Sequence, residues 1–122
     1  MDEINFVHIF VSHGKFVNED QLTQFVEPNY TEDGDLVLSK FMAEIGLESF
    51  EPMAIERTFY PKKTDLLSAI HGFSYADQFP IIRLEPTSID TIICVYSPNT
   101  VRTPNRSSLD YVGAFKYDPN QE

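Results

Sequence analysis

The chain has one cysteine, no tryptophan, and only nine Lys and Arg against nineteen Asp and Glu. Each shortage excludes something. A lone Cys94 can form no internal disulfide and offers no cysteine pair for zinc, which suits a reducing compartment. The excess of acids gives a formal net charge of −10. Nucleic acid and anionic membrane surfaces both attract positive charge, so neither is expected as a partner. No apolar run approaches the roughly 18 residues that cross a bilayer. The first residues, Met1-Asp2-Glu3, are acidic where a secretory leader is basic. The expected location is therefore cytoplasmic.

Signals for catalysis are also scarce. There is no HExxH and no glycine-rich phosphate loop, and His8, His13 and His71 are not spaced as ligands on one helix face. Asn29, Thr31, Asp33 and Gly34 match the start of a calcium loop, but its twelfth position holds Lys40 where a bidentate Glu is required. Ser74, within Gly72-Phe73-Ser74-Tyr75-Ala76, is preceded by a helical pattern, whereas a nucleophile elbow needs a strand there. No cofactor is implied and no catalytic set is recognisable. One acid–base pairing stays open, His13 with a nearby carboxylate.

What the chain does have is the length of one domain, residues 1–122, with ten Phe and six Tyr to fill a core. The charge is uneven. Residues 1–61 hold twelve acids and three bases, a net −9; residues 62–122 hold seven and six, a net −1. An acidic half of this kind suits a basic protein partner, because opposite potentials steer association.

The hydrophobic pattern predicts eight elements in the order βααβαβββ. Ile4 to Ser12 is apolar on both alternating faces and reads as an interior strand. Asn18 and Gln21 form a capping box ahead of the stripe Leu22, Phe25, Val26, which Pro28 ends. A polar turn, Asn29 to Asp35, leads to a second helix carrying Leu38, Phe41, Met42 and Ile45. Asp35 is placed to cap that helix, and Gly46 to close it in the left-handed conformation. Met53 to Tyr60 is a strand. Thr64 caps a third helix with Leu66, Ala69, Ile70 and Phe73. Pro80–Glu85, Asp90–Ser97 and Asp110–Tyr117 complete the strands, with a mobile loop from Pro98 to Leu109. This order predicts an α+β fold: a mostly antiparallel sheet of about five strands, with three helices packed on one face.

Several stretches resemble a known family in the same order. They are Tyr30-Thr31-Glu32-Asp33-Gly34-Asp35 followed by Ser39-Lys40-Phe41-Met42, then Glu56 after Phe50, Gly72-Phe73-Ser74-Tyr75, and Tyr111 to Tyr117. Together they are similar to the signature of the immunity protein 22 family, over roughly Phe6 to Tyr117. One departure is Phe10-Val11-Ser12-His13-Gly14, where that family commonly carries a Trp. The resemblance implies a binding protein rather than an enzyme, one that neutralises a cognate bacterial toxin encoded beside it. A nuclease is the leading target, since its basic surface complements an acidic inhibitor. The residues then expected to meet the toxin are Glu32, Asp33, Asp35, Glu48, Glu51 and Glu56, with Tyr30, Phe50 and Tyr60 as aromatic anchors. A small acid–base enzyme and a general interaction scaffold are the rival readings. Gly72 is expected to be structural, its replacement by Ala harming folding.

Overall fold

The structure, a computed structural model, describes residues 5–47, 51–80 and 84–120. Its centre is a four-stranded antiparallel sheet in the order β4-β5-β1-β6. These strands are β1 (Asn5–Ser12), β4 (Ile55–Thr64), β5 (Ile89–Tyr96) and β6 (Asp110–Tyr117). Two further strands of two residues each, β2 (Asn29–Tyr30) and β3 (Leu36–Val37), form a separate small ribbon. The helices are α1 (Glu19–Val26), α2 (Lys40–Glu44) and α3 (Leu66–Ala69).

Alternation along the strands builds two cores. Val7, Ile9, Val11, Ile92, Cys94 and Tyr96 point to one face, where Leu66 and Ile70 from the α3 region join Phe73 and Phe79. Phe10, Ile93 and Val95 point to the other, where α1 supplies Leu22, Phe25 and Val26, and α2 supplies Phe41 and Met42. Burying an apolar side chain of this size stabilises by about 1.5–3 kcal/mol. Every residue of β5 is buried. The sheet is thus covered on both faces, not on one. The reason is visible in β1 and β5, whose apolar residues occupy both alternating positions, so a helix on one side alone would leave the other side wet.

The remaining differences from the sequence pattern are local. Among the described residues the sheet has four strands rather than five. Pro80, Leu84 and Glu85 are not in a strand, and residues 81–83 lie outside the described residues. β4 begins at Ile55, because Pro52–Ala54 is a 3-10 turn capped by the Glu51 side chain. Asp35 caps no helix. It belongs to the ribbon, where Thr31 Oγ1 accepts its N–H at 3.0 Å, and Ser39 caps α2 by accepting the Met42 N–H at 3.2 Å. Thr64 ends β4, and Asp65 occupies the capping position of α3 without a side-chain bond. The helix predicted through Phe73 is α-helical only to Ala69 and continues as a 3-10 turn, Ile70–Gly72.

The segment from Pro98 to Leu109 is tied down rather than loose. The Thr103 Oγ1 hydroxyl donates to the Glu44 carbonyl at 2.9 Å, the Ser108 N–H donates to the Glu44 carboxylate at 2.8 Å, and Leu47 bridges Val101. Gly46 is left-handed as the pattern predicts, with φ +65°. Gly72 is not strained: it has no positive φ, and a Cβ there meets nothing within 4 Å. Its replacement by Ala is therefore not expected to harm folding.

Candidate functional site

The residues singled out from the sequence fall into three settings. Tyr30, Glu32, Asp33 and Asp35 lie on the β2–β3 ribbon, and all are exposed. Glu51 and Glu56 flank the start of β4, and Tyr60 lies further along it. Glu48 and Phe50 lie outside the described residues.

The ribbon carries an unusual load for an exposed element. Tyr30 is 63% exposed, and Leu36, Val37 and Leu38 are 45–46% exposed. No residue of β2 or β3 is buried. The turn is closed by its own backbone: the Thr31 N–H donates to the Asp35 carbonyl, and the Gly34 N–H to the Thr31 carbonyl, each at 2.9 Å. That closure turns the Glu32, Asp33 and Asp35 carboxylates to solvent beside four large apolar side chains. The sequence pattern gives Leu38 to the core of α2. The structure leaves it outside, because α2 starts only at Lys40.

Glu56 is engaged internally. Ser74 donates to its carboxylate twice, from its N–H at 2.9 Å and its Oγ–H at 2.7 Å. The Tyr96 hydroxyl lies 2.9 Å from Glu56 Oε1 and 2.8 Å from the Ser74 carbonyl. Burial, with Cys94 and Glu56 nearby, pushes the Tyr96 phenol far above its ordinary range, so it stays a neutral donor. The next residue, Tyr75, is left-handed, φ 62°, and stacks on Tyr117 at 4.6 Å between ring centroids. The Gly72–Tyr75 stretch is thereby fastened to the edge of the sheet. Glu51 caps the turn before β4, and Asn99 holds its backbone by accepting the N–H at 2.8 Å and donating to the carbonyl at 3.2 Å. Tyr60 is half-buried, and burial holds its phenol above the ordinary range.

A cleft of about 430 Å³ lies beside β4, lined by Glu19, Ile55, Glu56, Arg57, Thr58, Gly72 and Phe73. Arg57 crosses its α1 side and donates to Glu27 at 2.8 Å. Sequence reasoning missed this cleft and the roles of Glu19 and Arg57, since nothing local to residues 19, 57 and 72 shows that they converge. The ribbon starts two residues after Glu27, a reach of at most about 7 Å.

A second cleft, about 310 Å³, holds the acid–base pairing that the sequence left open. His13 Nε2 lies 3.1 Å from Asp110 Oδ2, with Ser12, Lys15 and Ser108 also lining the cleft. Both partners are well exposed, so the pair lacks the desolvation that acid–base catalysis exploits. Among the described residues no group of three or more His, Cys, Asp or Glu side chains is placed to hold a metal, and no helix is long and apolar enough to cross a membrane.

The family model for immunity protein 22 matches residues 9–118. No curated protein and no solved structure matches the chain significantly. The chain belongs to the immunity protein 22 family.

Proposed function

We propose that this protein binds a cognate toxin acting in the cytoplasm and neutralises it by covering a basic surface, that of a nuclease domain. The ribbon carries this reading. Three large apolar side chains, Tyr30, Leu36 and Val37, stand exposed on an element with no buried residue of its own, with exposed Leu38 next in the chain and three carboxylates in the turn. Exposed apolar surface of this kind is stabilising only when a partner covers it. A basic partner surface answers both features at once: apolar anchors at the centre and acids that steer and orient at the rim. The reading is one of occlusion, not of catalysis. A nuclease must expose bases to hold phosphate, so an acidic cover blocks its substrate by competing for the same charge.

The test is co-expression with the protein encoded immediately upstream. That neighbour is expected to kill alone, to cleave nucleic acid, and to be silenced in a one-to-one complex with this chain. Tyr30→Ala and Leu36→Asp are expected to weaken the complex about 30-fold or more each, as for hot-spot residues worth about 2 kcal/mol, with the midpoint of thermal unfolding unchanged. A harmless neighbour that forms no complex overturns the reading.

A further inference from the structure

We infer that the toxin also docks by adding an extended segment as a new strand along the outer edge of β4, Ile55–Phe59, in the cleft between α1 and Gly72. This rests on the toxin-binding reading and names the mode of contact.

Among the described residues β4 pairs only with β5, Ile55 opposite Val95 through Phe59 opposite Thr91. An edge strand turns alternate N–H and C=O groups outward, ready to pair with another chain. Proteins usually blunt such an edge with proline, lysine or a register break. Here those devices sit together in the second half of the strand. Pro61, Lys62 and Lys63 are exposed, and the register breaks between Phe59 and Thr64. The first half has no proline or lysine and opens onto the cleft.

The cleft has the shape and charge for a strand. Successive β4 side chains leave for opposite faces. Ile55 and Phe59 pack with the α1–α2 core, while Glu56 is bonded to Ser74 on the other side. An added strand would run between Glu19 of α1 and the Gly72–Phe73 wall. Acids prevail there: among the described lining residues Glu19 and Glu56 stand against one base, Arg57, whose charge is already paired with Glu27. The fitting occupant is therefore an extended segment with basic side chains. Two copies of this chain would bring like charges together. Gly72 gives the wall its width. It has no side chain, and a Cβ there meets nothing within 4 Å, so the space is left for an occupant. This gives Gly72 a role in access rather than in turning the chain.

Gly72→Leu fills that space without touching the fold, and separates the two roles. It is expected to keep the unfolding midpoint and to weaken binding of the upstream-encoded protein at least tenfold. Hydrogen exchange on the wild-type complex is expected to slow alternate amides within Ile55–Phe59. If a tight complex forms, protects only the ribbon and tolerates Gly72→Leu, the strand addition is wrong and the toxin-binding reading stands. If no complex forms, both fall. Protection of the same amides in the chain alone, rising with its concentration, would assign the edge to a second copy and overturn the proposal. Should Gly72→Leu misfold, the exchange pattern decides.

Discussion

His8 sits in β1 with Nδ1 2.9 Å from the Tyr111 hydroxyl, and burial lowers its pKa from 6.5. The unfolded chain therefore binds a proton at His8 more readily than the folded one. Stability from this site is full above pH 6.5 and declines as the pH falls below it, through the lowered folded value. Urea denaturation at pH 7 and pH 5 is expected to show lower stability at pH 5, with a smaller drop in His8→Gln. An equal drop in both would assign the loss to other groups. The tyrosine can donate to neutral His8 or accept from the protonated ring, so the bond survives and the cost is one of burial. At this scale the sequence was informative for Glu32, Asp33 and Asp35, because a polar turn with Gly34 has to face water. It was uninformative for Glu56. Its partners, Ser74 and Tyr96, lie 18 and 40 positions away, and only the folded sheet brings them to one carboxylate.

Among the elements, the best-read are those whose side chains repeat. β6 runs from Asp110 to Tyr117 as its pattern predicts, and α1 starts from Asn18, which accepts the Gln21 N–H at 3.0 Å. Elements too short to repeat escaped. The ribbon strands have two residues each, and a two-residue strand shows no period. Helix placement escaped for another reason: the both-faced apolarity of β1 marks an interior strand, and it demands a cover on each face as well. Gly46 closes α2 at φ +65°, where a Cβ would lie 2.9 Å from Thr103 Oγ1 and 3.1 Å from Arg102 Cβ. Both the backbone and the neighbours resist a side chain. Gly46→Ala is expected to destabilise by about 1–3 kcal/mol, measured by chemical denaturation. A change below about 0.5 kcal/mol would show that the segment after Val101 yields without cost.

Across the whole molecule, the charge imbalance is the most legible property, since it needs no structure. Its placement does. Glu19 of α1 and Glu56 of β4 line one cleft on the β4 flank, and Glu27, two residues before the ribbon, pairs with Arg57 there. If that flank steers the toxin, salt acts on encounter more than on the formed complex. Raising salt from 0.05 to 0.5 M is expected to slow association about tenfold and to leave dissociation nearly unchanged, as read by surface-bound kinetics. A salt-independent association rate would place the encounter elsewhere.

The central position of β1 has a consequence in time. Its partner on one side, β5, lies 79 to 89 residues later in the chain, from Ser12 opposite Thr91 to Val7 opposite Tyr96. Its partner on the other side, β6, comes later still. A ribosome adding about 5–20 residues per second leaves β1 unpaired for roughly 4–16 s. Neither core can close in that interval, because each needs strands from both ends. The domain therefore gains its shape only after β5 and β6 have followed β1, and both cores close together. A cell making both proteins has to start the protective one early enough to cover that delay.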